Sequence, residues 1–126
     1  KEISNIALTN TRVINDIPLD EISADIGPKS IKLFDEIIRN SCKILWNGPL
    51  GVFEFNSFEN GTKSIANSIH NATKLGAFSV IGGGDSIAAI NKFNQKLNFS
   101  YLSTGGGAML EFFEKDQLPA LKSLED

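Results

Sequence analysis

An open α/β fold built on a parallel sheet is what this 126-residue sequence predicts, and three observations carry that expectation. Short apolar runs alternate with longer segments whose apolar residues recur at helical spacing. Each clear run ends in a glycine-rich turn: Trp46-Asn47-Gly48-Pro49-Leu50-Gly51-Val52-Phe53-Glu54, Gly82-Gly83-Gly84-Asp85-Ser86 and Ser103-Thr104-Gly105-Gly106-Gly107. Strands alternating with helices imply parallel pairing through right-handed crossovers. The expected architecture is a three-layer α/β/α open sheet, Rossmann-like.

The elements follow in chain order. Residues 5–17 are rich in β-branched side chains and are expected to be extended. After Gly27-Pro28, Ile31, Phe34, Ile37 and Ile38 mark a helix, with proline at a favourable first position. Ile44-Leu45-Trp46 reads as a short buried strand. Ile65, Ile69 and Ala72 form a second helical stripe, stopped by Gly76. Phe78-Ser79-Val80-Ile81 is the next strand. Ile87, Ile90, Phe93 and Leu97 mark a third helix that begins directly after the Gly82–Ser86 turn. Tyr101-Leu102 is a third strand, and residues 108–113 open a fourth helix after the second glycine triplet.

Composition narrows the function classes. The chain is 41% hydrophobic and 21% charged, which is globular, and its length suits one domain or a piece of a larger one. A formal charge of −3 with no basic stripe argues against nucleic acid or an anionic membrane as partner. Cys42 is the single cysteine, so disulfides and cysteine-based metal sites are excluded, and a buried reduced thiol is expected. His70 is the single histidine, expected to be solvated on a polar helical face, which removes Ser-His-Asp and His-rich zinc chemistry. No apolar run approaches the roughly 20 residues that span a bilayer, and the opening residues lack the order of a signal peptide. The expectation is a soluble, cytoplasmic protein with neither nucleic acid nor membrane as partner.

The glycine turns point to a ligand. Glycine leaves main-chain N–H groups uncovered, and a helix N-terminus offers amides without intrahelical partners together with the positive end of the macrodipole. Such a corner is an anion site, most often for phosphate. Asp85 could be a helix N-cap, yet a carboxylate beside a phosphate is repulsive unless a divalent cation lies between them. Magnesium takes one or two carboxylates along with water and phosphate oxygens. The Gly82–Ser86 turn therefore reads as a cradle for a magnesium–nucleotide. Neither corner contains lysine or arginine, while a nucleoside triphosphate carries about four negative charges and phosphoryl transfer depends on electrostatic stabilisation. Lys29, Lys63 and Lys92 are the nearer candidates, but the main cationic groups are expected from outside this chain.

These residues resemble one family. Asp25-Ile26-Gly27-Pro28-Lys29-Ser30, Leu45 to Glu54, Phe58-x-x-Gly61-Thr62, Ile81 to Ser86, Leu102 to Ala108 and Leu118-Pro119-Ala120-Leu121 occur in the order found in phosphoglycerate kinases. The resemblance runs from about Ala24 to Leu124. It implies transfer of a phosphoryl group from 1,3-bisphosphoglycerate to ADP, giving 3-phosphoglycerate and ATP, with Mg2+ as cofactor. It implies that residues 1–126 are the C-terminal part of the nucleotide-binding domain. The N-terminal domain that holds 1,3-bisphosphoglycerate or 3-phosphoglycerate would lie elsewhere in a monomeric, cytoplasmic, full-length enzyme.

Carried over by position, Glu54 would accept hydrogen bonds from the ribose hydroxyls, and Asn47 would lie near the phosphates. Gly83, Gly84, Asp85 and Ser86 would meet the phosphates, with Asp85 as metal ligand. Thr104, Gly105, Gly106 and Gly107 would act on the transferring phosphoryl group, mainly in the transition state. Trp46 and Phe53 would be core. Ser23 stands where the family commonly has a glycine approaching adenine, so adenine packing is expected to differ. Two other readings stay open at this point: a stand-alone anion- or nucleotide-binding module, and a structural piece that self-associates through an exposed strand edge.

Overall fold

The computed structural model describes residues 3–93 and 96–115. Four helices and three strands alternate: α1 (Pro28–Arg39), β1 (Lys43–Asn47), α2 (Asn60–Lys74), β2 (Phe78–Gly82), α3 (Gly84–Lys92), β3 (Tyr101–Ser103) and α4 (Gly106–Lys115). The strands pair in parallel in the order β1-β2-β3. Each strand, and the proline-led start of α1, falls where the apolar runs and turn residues predict. Helix α3 stops at Lys92, short of the expected Leu97, which packs instead as a partly buried residue against the core. The Leu118-Pro119-Ala120-Leu121 motif lies outside the described residues.

Alternation along the strands decides the layers. Trp46 and Ile81 are register partners on one face, and there they meet Ile65, Ala66 and Ile69 of α2 and Ile90 of α3. Ile81, Ala66 and Ile69 are essentially inaccessible to solvent, so this seam is the main source of hydrophobic stabilisation. Trp46 is buried as expected, although its indole N–H finds no partner among the described residues, which costs about 1–3 kcal/mol. The opposite face of the sheet carries α4, whose Met109 seats against Gly82. Leu45, Phe78 and Tyr101 remain largely exposed on that face.

One expectation is corrected here. Residues 5–17 form no strand; apart from one 3-10 turn at Ile14–Asp16 they are irregular, with Ile6, Leu8 and Ile14 almost fully exposed. β-Branched side chains favour a strand only where a pleated surface is there to be packed, and this segment pairs with no strand. It is held instead by side-chain bonds: the Asn5 Oδ1 accepts from the Asn56 N–H at 2.8 Å, the Asn5 carbonyl accepts from Ser57 Oγ, and Arg12 pairs with Glu21.

Helix α1 buries no residue fully, and a polar bond fixes it on α2. The Ser68 hydroxyl donates to Asp35 Oδ1 at 2.6 Å, and Arg39 pairs with the other carboxylate oxygen at 2.8 Å. The Ser68 bond above all, aided by Arg39, holds the Asp35 carboxyl below its usual range against the opposing effect of burial. A carboxyl depressed in the fold stabilises it above the unfolded-state pKa, and that stability is lost as pH falls through the folded value. Asp35→Asn is expected to cost about 1 kcal/mol in urea unfolding at pH 7, given the partial exposure of the pair. The deficit should shrink progressively as pH falls below the ordinary aspartate value toward the depressed folded one; a deficit that stays constant as pH falls would rule the linkage out.

Candidate functional site

The register places Asn47, Gly82 and Ser103 side by side at the carboxyl edge of the sheet. The chain crosses from β1 to β2 to β3 through helices on one face, then passes to the other face with α4. Ligands of open α/β sheets bind outside the carboxyl ends of strands where the winding changes side. Both glycine corners lie at this point.

Their contact is direct. The Gly83 N–H donates to the Ser103 carbonyl at 2.9 Å, joining the two corners beyond the last sheet residues. Gly83 has φ +91°, a left-handed conformation that glycine alone adopts without strain. Gly106 rests on it: a Cβ at Gly106 would fall 2.6 Å from the Gly83 nitrogen and 2.7 Å from its Cα, and would collide with the Asn47 Oδ1. Only glycine permits this approach. The Asn47 amide thus occupies the crevice between the two helix starts.

The amides at these starts are available. The first backbone bond of α3 runs from the Ile87 N–H to the Gly83 carbonyl, and that of α4 from the Met109 N–H to the Gly105 carbonyl. The N–H groups of Gly84, Asp85 and Ser86, and of Gly106, Gly107 and Ala108, have no hydrogen-bond partner among the described residues. Gly84, Gly105 and Gly107 have open space or only ordinary contacts where a side chain would stand. Asp85 is the second residue of α3, exposed, and makes no capping bond; the N-cap is Gly83. The N-cap alternative for Asp85 is therefore not what the fold contains.

Ser86 is placed differently from a ligand-facing residue. It is wholly buried, and its Oγ accepts the Gly48 N–H at 2.8 Å. Its hydroxyl anchors the loop after β1 to α3; the main-chain amide alone remains at the helix start. Thr104 is exposed beside the Gly105–Gly107 turn. Glu54 is exposed on the loop after β1, and the buried Phe53 beside it packs in one cluster with Ala89 of α3 and Phe93, the residue that follows the helix.

Three residues to which the sequence assigned no anchoring role hold this loop and the start of α2 beside it. The Thr62 Oγ1, fully buried in α2, accepts the N–H groups of Leu50 at 3.0 Å and Gly51 at 3.2 Å. Asp25 accepts from the Ile26 N–H with Oδ1 and from the Gly61 N–H with Oδ2, both at 2.8 Å. Burial lifts the Asp25 carboxyl above its usual range despite those two bonds. The neighbouring Ala24 carbonyl accepts the Val52 N–H, so the segment after the exposed Ser23 is stitched to the same loop. Lys92 supplies the third anchor, described below. Two other expectations are corrected: Cys42 is exposed rather than buried, and the His70 Nδ1 accepts the Asn98 N–H at 2.8 Å rather than being free in solvent.

A cavity of about 650 Å3 lies elsewhere, lined chiefly by residues 7–12 and 21–28. Among the described residues no group of three His, Cys, Asp or Glu side chains is placed to hold a metal. A single exposed carboxylate beside unbonded amides suits magnesium, which takes few protein ligands and completes its shell with phosphate oxygens and water. It does not suit calcium or zinc, which need larger protein donor sets.

Comparison with known proteins now decides the family. The family model described as phosphoglycerate kinase matches residues 1–116. The chain belongs to the phosphoglycerate kinase family. It is 51% identical over 124 residues to a phosphoglycerate kinase of Histophilus somni (strain 2336), covering 98% of this chain and 32% of that protein. The structure of phosphoglycerate kinase from Coxiella burnetii superposes with a TM-score of 0.84 at 40% identity, over 96% of this chain and 30% of that one. That of phosphoglycerate kinase from Pyrococcus horikoshii OT3 gives 0.71 at 42% identity, over 81% and 24%. The chain thus spans about a third, or less, of the length of these phosphoglycerate kinases. The sheet with its helices is the α/β fold of the family, and no described helix is long and apolar enough to cross a membrane.

Proposed function

We propose that residues 1–126 are the nucleotide-binding portion of a longer, cytoplasmic, monomeric phosphoglycerate kinase. The reaction is phosphoryl transfer from the acyl phosphate of 1,3-bisphosphoglycerate to ADP, giving 3-phosphoglycerate and ATP. The observation that carries this reading is the abutment of Gly83 and Gly106, which aims two helix N-termini at one place.

In this reading the amides of Gly84 and Asp85, with Asn47 between the corners, bind the nucleotide phosphates, and Gly83 gives them close access. Asp85 holds Mg2+, which when bound neutralises phosphate charge and orients the phosphate oxygens. Thr104 and the amides of Gly105, Gly106 and Gly107 face the phosphoryl group in transit. Glu54 accepts the ribose hydroxyls. Ser86 acts through Gly48 rather than on the nucleotide. No covalent intermediate on the protein is required: the corners position reactants and stabilise charge already spread over the phosphoryl oxygens. Each helix start contributes about 0.3–1 kcal/mol toward an anion, up to ~2 when partly buried. Two of them are too little for a polyphosphate, so the remaining positive charge, and the site for 1,3-bisphosphoglycerate, belong to parts of the protein beyond this chain.

The test is an assay of the full-length protein and of residues 1–126 alone, with 1,3-bisphosphoglycerate, ADP and magnesium. ATP formation is expected from the full-length protein and not from the isolated chain. A full-length protein that binds MgADP without transferring phosphate would leave only a nucleotide-binding module.

A further inference from the structure

Lys92 ends α3, and its ammonium is surrounded by acceptors from one loop. Nζ lies 2.7 Å from the Phe53 carbonyl, 3.3 Å from the Glu54 carbonyl, 3.0 Å from Asn56 Oδ1 and 2.7 Å from Glu59 Oε2. Three N–H bonds are shared among four acceptors, and all four belong to the stretch between the loop after β1 and the start of α2. Two of the acceptors are the main-chain carbonyls of Glu54 and the residue before it. The lysine therefore fixes the backbone from which the Glu54 side chain projects.

We propose that Lys92 is a positioning residue for the nucleotide sugar, holding the Glu54 carboxylate where it meets the ribose hydroxyls. This rests on the nucleotide reading above and adds to it the group that sets sugar recognition. An exposed glutamate on a loop loses conformational freedom when it binds, and a loop already held in place loses less. The same helix supplies both ends of the arrangement. Its first turn presents the amides and Asp85, and its last residue grips the loop of Glu54. The buried cluster of Phe53 with Ala89 and Phe93 ties the same loop to the C-terminal half of the helix and the residue after it. Phosphate and sugar sites are thereby held in register by one rigid element. A solvated lysine of purely structural value would have no reason to take both carbonyls at Glu54, when Glu59 alone satisfies its charge.

The experiment uses the full-length protein and compares MgADP with the magnesium complex of 2′,3′-dideoxy-ADP, which lacks both hydroxyls. The wild-type enzyme is expected to prefer ADP through KM. Lys92→Met should raise KM for ADP about fivefold, leave kcat within about twofold, and leave KM for the dideoxy nucleotide unchanged. Glu54→Gln should erode the same preference, and the double variant should be no worse than Glu54→Gln alone. Lys92→Arg should restore part of the preference. Should Lys92→Met fail to fold, Asn56→Ala combined with Glu59→Ala removes two side-chain acceptors with the lysine in place and is read in the same way. Equal KM increases for both nucleotides, or penalties that multiply in the double variant, overturn the positioning role alone. A wild-type enzyme indifferent to the sugar hydroxyls overturns the Glu54 assignment as well.

Discussion

Gly106→Ala in the full-length protein is expected to lower kcat/KM for MgADP by roughly 10²-fold, about 2.7 kcal/mol of transition-state stabilisation. One methyl group suffices, because the atoms it would meet are main chain. The Gly83 nitrogen and Cα, at 2.6 and 2.7 Å, cannot rotate away as a side chain would. The Gly83 nitrogen is further fixed by its bond to the Ser103 carbonyl at 2.9 Å. The corners must separate, and with them the two sets of unbonded amides at the starts of α3 and α4. The motif taken by itself assigns the Gly105–Gly107 turn mainly to the transition state, so turnover would suffer more than nucleotide affinity. Abutment changes that expectation: displacing Gly83 disturbs the corner proposed for the nucleotide too, and KM for MgADP should rise alongside the fall in kcat. Steady-state kinetics with both substrates varied separates the two. A variant that keeps wild-type KM while losing turnover would show that the corners work independently.

What was legible in the sequence is what depends on near neighbours in the chain. An apolar run followed by glycines marks a strand and its turn, and β1, β2 and β3 lie where such runs stand. The same holds for α1, announced by Pro28, and for both glycine corners. Residues 5–17 misled because β-branched composition records a local preference, while a strand needs a partner to pair with. The anchoring roles around the loop after β1 were illegible for the opposite reason. Thr62, Asp25, Ser86 and Lys92 act on groups between 11 and 39 positions away. Nothing local distinguishes them from an ordinary threonine, aspartate, serine or lysine. Ser86 shows the limit most plainly: its place beside Asp85 suggests a ligand contact, yet the helix turns its hydroxyl inward to Gly48. Adjacent residues at a helix start share a motif without sharing a direction.

Asp85→Asn separates function from stability more sharply than any other substitution here. The carboxylate is exposed, makes no cap, and has no ion-pair partner among the described residues, so the fold gains from it only its place in the first turn of α3. That interaction with the helix dipole is worth about 0.3–1 kcal/mol, and the variant should unfold within a few degrees of the wild type. Activity should fall much further, with kcat/KM for MgADP down roughly 10²-fold, because in the proposed site Asp85 would hold a magnesium ion whose charge stabilisation is worth several kcal/mol. The two forms of the nucleotide should also respond in opposite directions. In the proposed site Asp85 would repel metal-free ADP and attract the magnesium complex, so neutralising it should tighten the first and weaken the second. Calorimetric titration of the full-length variant with ADP, in EDTA and then in excess magnesium, reads both arms. If magnesium strengthens binding to the variant as much as to the wild type, the metal is held by other groups, and Asp85 is only an acid at a helix start.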